Sequence, residues 1–243
     1  MEGFLVVLNH ELLAKLAVSS TATLSTCLFK RGLRNQVIQD VHLLNPAAPT
    51  MVGFAYTLRY IPAREDIDRV EAFRDAGHPQ RRAIEECPQG AVLVVDSRKD
   101  ARAASAGAIL VTRLMKRGAA GIVTDGGFRD SPDIARLDFP VYHQRPSPPT
   151  NITRHHAVDL DVPIACGDVA VFPGDIIVGD QEGVIVIPAH LAEEVATEAA
   201  EMTLFEEFVL EQVTNGSSIY GLYPATDERT VTAFAEWRKL RAR

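Results

Sequence analysis

The sequence predicts an α/β protein built around a parallel, helix-covered sheet. Three apolar runs of strand length lie at residues 91–96, 121–125 and 140–143, and the pattern between them is helical. Strands that alternate with helices pair in parallel, because each connection has to cross back over the sheet. The 243 residues, of which 47% are hydrophobic and 23% charged, are enough for one globular domain with a full core.

Helices precede this sheet in the chain. Apolar residues recur at helical spacing over 10–32, where Ser20 can cap a second helix that Gly32 ends. Alternating, β-rich residues predict a strand over 51–61. The highly charged stretch 64–82 predicts a surface insertion or lid that carries a short helix.

The main helix of the central pattern begins after Gly107 and ends at Gly118. Its apolar positions are Ile109, Leu110, Leu114 and Met115. A second, shorter helix is predicted over 134–139, before the third strand.

After residue 158 the pattern changes to short β runs. Gly, Pro and Asp punctuate these runs over 158–188, which predicts a barrel-like or antiparallel β layer. A long helix follows over 189–213, and a final loop and helix extend over 217–243. Apolar Phe205 and Phe208 on the long helix need a partner surface. We expect a neighbouring subunit to provide it, with folding back onto the same domain as the alternative.

Charge and cysteine content exclude several classes of protein. The net charge of −7 argues against a nucleic-acid-binding surface. No apolar run reaches the roughly 18 residues of a membrane span, and the N-terminus carries Glu2 where a signal peptide has Lys or Arg. The cysteines, at positions 27, 87 and 166, are too scattered for a zinc site or a disulfide framework. We therefore expect a cytoplasmic protein that binds neither nucleic acid nor a membrane.

The sharpest local motif is DGGFRD, residues 125–130, directly after a predicted buried strand. Its glycines let the backbone turn tightly, and ligands usually bind at the carboxyl ends of parallel strands. Asp130 can bind a hard divalent cation, and Arg129 can hold a carboxylate or an enolate oxygen. The alternative is that both side chains only anchor the loop through local hydrogen bonds.

A second feature is the helix start after Gly107. The backbone amides of Ala108, Ile109 and Leu110 can bind a small carboxylate, because the first amides of a helix have no intrahelical partner. In a parallel sheet this helix start lies at the same edge as the DGGFRD loop, so an anion pocket and a metal site would be adjacent. An ordinary helix start without a ligand is the alternative.

A third feature is TRHHAVD, residues 153–159. Arg154, His155 and His156 can hold a substrate carboxylate or carry protons. Consecutive side chains of a strand face opposite ways, so the two histidines are poorly placed to share a metal ion.

Two sequence blocks together resemble the signature of the RraA-like family. They are GAILVTRLMKRGAAGIVTDGGFRD and PIACGDVAVFPGDIIVGDQEGVIVIP, and the resemblance covers about 20–216. The family includes class II pyruvate aldolases, which act on 4-hydroxy-4-methyl-2-oxoglutarate and 4-carboxy-4-hydroxy-2-oxoadipate, and regulators of ribonuclease E. The resemblance implies one swivelling three-layer β/β/α domain over 1–243, with a helical N-terminal segment and a C-terminal helical extension, assembled as a trimer or hexamer.

The resemblance also implies roles for individual residues. Arg129 and Asp130 would be catalytic, holding the keto oxygen of the substrate and a divalent metal, Mg²⁺ or Mn²⁺. The turn 107–110 would bind the carboxylate of the substrate through the amides of Ile109 and Leu110.

More distant residues would complete the site. Either Glu206 or Glu207 of a neighbouring subunit would act on the metal through water, and Arg154 would bind a distal carboxylate, where the aldolases usually have lysine. At position 108 the aldolases have an acidic residue, whereas this sequence has Ala108. We therefore expect the proton to pass through a metal-bound water.

The function implied is a metal-dependent carbon–carbon lyase that acts on a small 2-oxo acid. Its reaction would be retro-aldol cleavage of a 4-hydroxy-2-oxo acid to release pyruvate, or decarboxylation of an oxaloacetate-type acid. The alternative is a non-catalytic regulator of ribonuclease activity that acts through protein–protein contacts. The regulators are shorter, so the pair Glu206–Glu207 and the C-terminal extension favour the enzyme.

Overall fold

A computed structural model describes residues 9–241 of the chain. Residues 1–8, which include Glu2 and the apolar start of the chain, and the last two residues of the basic tail lie outside the described part. The described chain has the predicted α/β architecture, with helical segments at both ends.

The helices lie at both ends of the chain and between the strands of its middle. They are α1 (His10–Val18), α2 (Thr21–Lys30), α3 (Pro79–Glu86), α4 (Ala108–Lys116), α5 (Ser131–Ile134), α6 (Ala192–Thr214) and α7 (Glu228–Arg241). Short 3₁₀ turns lie at Val70–Arg74, Asn151–Thr153 and Ala189–Leu191.

The strands vary from two to twelve residues. Those of the first half are β1 (Val37–Ile38), β2 (His42–Leu43), β3 (Met51–Pro62), β4 (Ala91–Asp96), β5 (Ala104–Ala106), β6 (Gly121–Thr124) and β7 (Gly127–Phe128). Those of the second half are β8 (Val141–His143), β9 (Arg145–Pro146), β10 (His155–Leu160), β11 (Ile164–Cys166), β12 (Val169–Val171), β13 (Ile176–Gly179) and β14 (Val184–Ile187).

The central sheet has a parallel middle, as the sequence predicts. Strands β3, β4, β6 and β8 pair in parallel in this order. The long strand β3 also pairs antiparallel with β13 near its start and with β10 near its end. A separate small sheet, β5–β7–β9, is also parallel.

Hydrophobic packing divides the protein into layers. On one face of the central sheet, Leu93 of β4 packs with residues of α3 and α4, such as Leu114. On the opposite face, Val92 belongs to a cluster with the β11–β12 hairpin and inward residues of β13 and β14. The outward residues of those two strands, such as Ile185, are covered by α1, α2 and α6. This layering confirms the β/β/α fold that the family resemblance implies.

The N-terminal helices begin and end as predicted. The Ser20 side chain accepts a hydrogen bond from the Thr23 amide at 3.0 Å, and Gly32 has a φ of +82° after α2. Within the described residues, no single helix is long and apolar enough to cross a membrane; α1 and α2 meet that test only jointly, as a pair bent by 104°.

One local prediction is wrong, and another describes only part of its segment. The short helix predicted over 134–139 lies earlier, at Ser131–Ile134, because Pro132 in its first turn has a φ already suited to a helix start. The charged stretch 64–82 is more than a surface insertion, because its last residues begin α3, which buries Ala83 and Ile84 in the core. Ala83 and Ile84 come just after residue 82, where the charged stretch ends, so the charge pattern does not show that the helix continues into the core.

The C-terminal extension covers the end of α6. Phe208, buried to 3% exposure, packs with Leu222 of the extension, and Phe234 and Trp237 of α7 lie against this cluster. Phe205 also contacts the Phe234 ring, with 5.2 Å between centroids. The partner surface expected from a neighbouring subunit is therefore provided by the same chain, because α7 folds back on α6.

Candidate active site

A cleft of about 320 Å³ opens beside the small sheet β5–β7–β9. One wall is formed by the start of α4 and by Arg129 and Asp130. The 3₁₀ turn Val70–Arg74 and the first turn of α3 supply another wall, and residues 150–151 also line it. The cleft therefore combines segments that are far apart in the sequence.

The small sheet explains why Gly107 and Asp130 are neighbours. Strands β5 and β7 pair in parallel, with Ala104 opposite Gly127, so their carboxyl ends lie at one edge. Gly107 follows β5 directly and Arg129 follows β7. The sequence predicts this adjacency from the main strands at 91–96 and 121–125. In the structure it is produced by the short strands β5 and β7, which follow those two main strands in the chain.

The backbone after β7 fixes the direction of both charged side chains. The Arg129 amide donates to the Ala106 carbonyl at 3.1 Å, and Asp130 has a left-handed φ of +58°. The Asp130 carbonyl accepts hydrogen bonds from the amides of Asp133 and Ile134 in α5, at 3.0 and 3.1 Å. Both side chains remain partly exposed, Arg129 to 46% and Asp130 to 38%.

Asp130 links the loop to the start of α4. Its Oδ2 accepts a hydrogen bond from the Ala108 amide at 3.2 Å and lies 3.4 Å from Arg129 Nε. A Cβ atom at Gly107 would lie 2.7 Å from the same Oδ2 and 2.9 Å from Arg129 Cγ. The site therefore requires a glycine at this position because the space is filled by the two charged side chains.

The start of α4 presents free amides to the cleft. The first intrahelical hydrogen bond of α4 is donated by the Val111 amide to the Gly107 carbonyl at 3.1 Å. The amides of Ile109 and Leu110 come before it in the chain and therefore have no intrahelical acceptor. Ile109 is 84% exposed, and burial falls instead on Val111 and Leu114. The expectation that Ile109 belongs to the apolar face is wrong, because this residue lies at the cleft.

Two buried amide side chains that line the cleft bind the backbone of β5. Gln80 Nε2 donates to the Ser105 carbonyl at 2.7 Å, and Asn151 Nδ2 donates to the Ala104 carbonyl at 3.2 Å. The Tyr60 hydroxyl also donates to Ser105, at 3.1 Å, and burial raises its pKa. Sequence reasoning missed Gln80 and Asn151, because nothing in the local pattern reveals that they converge on one short strand.

Asp125, the first residue of the DGGFRD motif, anchors the loop. Its carboxylate accepts hydrogen bonds from the amides of Ser97, Lys99 and Gly167 at 2.7, 3.0 and 3.2 Å. Burial nevertheless raises the pKa of Asp125 to about 6. Asp125 therefore anchors the loop, whereas Arg129 and Asp130 line the cleft.

The three residues predicted at 154–156 to bind substrate or carry protons lie in different environments. Arg154 is exposed and lies outside the set of cleft-lining residues. His155 is fully buried, stacks on Tyr60 with 5.1 Å between ring centroids, and has its pKa lowered to about 4 by burial. His156 Nδ1 lies 2.7 Å from Asp68 Oδ1.

Glu206 and Glu207 lie on α6, away from the cleft of their own chain. Glu206 accepts hydrogen bonds from the Thr23 hydroxyl at 2.8 Å and the Tyr223 hydroxyl at 3.3 Å. Glu207 forms an ion pair with Arg241 at 3.0 Å. Both carboxylates are thus held by the terminal segments of the same chain.

The donor set of one chain fits a hydrated cation. Asp130 is the one carboxylate among the described residues that line the cleft, and no cluster of three metal-binding side chains exists within residues 9–241. Its Oδ1 forms no hydrogen bond to any described residue. Mg²⁺ commonly keeps several waters and is held by one or two carboxylates, so this arrangement suits it.

The comparison with known families identifies the chain. The profile of a family described as RraA-like, Aldolase/RraA, matches residues 21–186. This chain belongs to the RraA-like family.

Named relatives of this RraA-like protein differ in length. A protein of Halalkalibacterium halodurans, provisionally named 4-hydroxy-4-methyl-2-oxoglutarate aldolase, is 35% identical over 129 residues, which are 52% of this chain and 60% of that protein. Protein DlpA of Legionella pneumophila is 26% identical over 210 residues, 86% of this chain and 32% of DlpA. The matches therefore span less than two thirds of either relative.

A solved structure supports the same fold. It is Streptomyces coelicolor RraAS2, described as an unusual member of the RNase ES inhibitor RraA protein family. The TM-score is 0.72 at 31% identity, covering 82% of this chain and 96% of RraAS2.

Proposed function

We propose that this protein is a metal-dependent lyase that cleaves a carbon–carbon bond in a small 2-oxo acid. The observation that carries the proposal is the meeting of Arg129, Asp130 and the free amides of α4 at one cleft. A cation, a carboxylate and a helix N-terminus together suit a substrate that has a carboxylate next to a carbonyl oxygen.

The substrate would bind by its 2-oxo acid end. Its carboxylate accepts hydrogen bonds from the amides of Ile109 and Leu110, and the positive end of the helix dipole favours the negative charge. The Arg129 guanidinium faces the 2-oxo oxygen. The amides belong to the first turn of α4, and Arg129 Nε lies 3.4 Å from Asp130 Oδ2. Both groups are therefore oriented before substrate arrives, and little reorganisation accompanies the reaction.

The two candidate reactions share one intermediate. In the retro-aldol reaction water takes the proton of the 4-hydroxyl and the C3–C4 bond breaks. The electron pair of that bond forms the enolate of pyruvate, and C4 leaves as the carbonyl carbon of the second product. In decarboxylation the electron pair of the bond to the departing carboxylate forms the same enolate and releases carbon dioxide. Protonation at C3 then gives pyruvate in both cases. Arg129 stabilises the charge that develops on the enolate oxygen.

Asp130 would hold the cation, Mg²⁺ or Mn²⁺. When bound, the metal supplies Lewis-acid stabilisation of the same oxygen. With alanine at position 108, Asp130 is the one acidic group among the described residues lining the cleft, and the imidazole of His155 is sealed in the core. Solvent water would therefore be the proton carrier.

A neighbouring subunit would complete the site. We propose a homotrimer or homohexamer in which Glu206 or Glu207 approaches the Asp130 of another copy. Mixing inactive Asp130→Asn chains with inactive Glu206→Gln/Glu207→Gln chains would restore part of the activity, because some interfaces then contain both native residues. No recovery, despite demonstrated subunit exchange, would place the site within one chain.

The deciding experiment is a pyruvate-release assay over 4-hydroxy-2-oxo acids and oxaloacetate, with Mg²⁺, Mn²⁺ or EDTA. We expect release that requires metal and is lost in Arg129→Leu. The absence of release from every substrate would contradict the proposal.

A second candidate, regulation of a ribonuclease, is favoured by the similarity to RraAS2 along most of both chains. It predicts inhibition of RNA cleavage that survives Asp130→Asn. A lyase without any effect on ribonuclease activity would eliminate it.

A further inference from the structure

The cleft contains a second cation that the proposed chemistry does not use. Arg81 lies in the first turn of α3 and lines the same cleft as Arg129. Its guanidinium carbon lies 4.6 Å from the centroid of the Phe73 ring, which also lines the cleft. This cation–π contact orients the planar guanidinium but leaves its N–H donors available.

Arg81 differs from neighbouring arginines in its partners. Arg82 pairs with Glu86 at 2.7 Å, and Arg113 pairs with Glu85 at 2.8 Å. Arg81, although half-buried, forms no ion pair within 4.0 Å and donates no side-chain hydrogen bond to any residue in the described range. Among the described residues, its positive charge therefore has no carboxylate partner within ion-pair distance, and the Asp130 carboxylate of the same cleft lies beside Arg129 instead.

We infer that Arg81 binds a second carboxylate of the substrate and makes the enzyme selective for dicarboxylic 2-oxo acids. The inference rests on the proposed function, which places the 2-oxo acid end at Arg129 and the α4 amides. A guanidinium with free, preoriented donors binds a carboxylate by two parallel hydrogen bonds. Phe73 is a positioning residue, because it acts through Arg81.

The structure favours Arg81 over Arg154 for this role. Arg154, which the family resemblance implies for a distal carboxylate, is exposed and outside the cleft-lining set. Arg81 comes from the charged stretch 64–82, where the sequence predicts a surface lid. The stretch would thus determine specificity because it brings a cation to the cleft.

A binding measurement tests the inference without turnover. The probes are 2-oxoglutarate and 2-oxopentanoate, which have equal chain length but end in a carboxylate and a methyl group. In titration calorimetry with Mg²⁺ we expect the wild type to bind 2-oxoglutarate at least about tenfold more tightly. Arg81→Gln should lose this preference, Arg81→Lys should keep part of it, and Phe73→Leu should weaken it.

The matched control is Arg74→Gln. Arg74 belongs to the same 3₁₀ turn as Phe73 but is exposed and does not line the cleft, so the preference should be unchanged. Thermal unfolding of each variant checks the fold. A preference that survives Arg81→Gln, or that disappears in Arg154→Gln instead, would overturn the inference.

Turnover separates this inference from the proposed function. With dicarboxylic substrates, Arg81→Gln should raise KM at least about tenfold, while kcat/KM for monocarboxylic substrates stays near the wild-type value. If no substrate is cleaved but Arg81 still determines the binding preference, the lyase proposal fails and the carboxylate site stands. If cleavage occurs with an unaltered preference in Arg81→Gln, the inference alone fails.

Discussion

Replacing Gly107 by alanine should disable the site while leaving the fold intact. The new methyl group would lie 2.7 Å from Asp130 Oδ2 and 2.9 Å from Arg129 Cγ, whereas ordinary contacts begin at 3.4 Å. Asp130 must therefore move by about 0.7 Å and Arg129 by about 0.5 Å, and the bond from the Ala108 amide is strained. Misplacement on this scale costs up to about 100-fold in rate.

The stability of the Gly107→Ala variant should hardly change. The backbone at this position has a φ of −129°, which alanine adopts freely, and both displaced side chains are partly exposed. A glycine-to-alanine change also reduces the entropy of the unfolded chain, which contributes about 0.4–1 kcal/mol of stability. The expected free energy of unfolding is therefore within about 1 kcal/mol of the wild type.

The assay compares kcat for pyruvate release, Mn²⁺ affinity and thermal unfolding in Gly107→Ala and the wild type. Gly77→Ala is the control, because its φ is not left-handed and its added Cβ would meet only the exposed Asp75 side chain, at 3.2 Å. A Gly107→Ala enzyme with wild-type turnover and Mn²⁺ affinity would refute the reasoning.

Three further predictions concern the metal, pH and the C-terminal extension. Asp130→Asn should abolish metal-dependent turnover with unchanged thermal unfolding, because a neutral amide is a poor ligand for a hard cation; equal turnover at saturating Mg²⁺ would exclude Asp130 as the ligand. Burial lowers the pKa values of His143 and His155 to about 4, so the unfolded imidazoles protonate first as the pH falls, and each histidine removes about 2.6 kcal/mol of stability between about pH 6.5 and 4. Asp125, with its pKa raised to about 6, adds about 2.3 kcal/mol over the same range, so urea unfolding should show a net loss of about 3 kcal/mol. Phe208→Ala should lower stability by about 3 kcal/mol and detach α7, measured by urea unfolding and by proteolysis of the extension.

Much of the fold follows from local patterns. The buried runs 91–96 and 121–125 are strands because their apolar residues have no helical period, and Ser20 and Gly32 delimit a helix by capping rules. The short strands β5 and β7 have no such pattern. Two or three small or buried residues carry too little periodicity to predict a strand, although these strands bring Gly107 and Asp130 together.

The sequence by itself determined the α/β class, the order of the main elements and the candidate residues Arg129 and Asp130. Each depends on signals within a few residues: periodicity, glycine turns, and charges next to a buried strand. Only the tertiary structure decided that Arg81 faces the cleft while Arg154 does not, and that α7 covers the aromatic end of α6. These outcomes depend on contacts between segments more than twenty residues apart, and neither periodicity nor capping encodes such contacts.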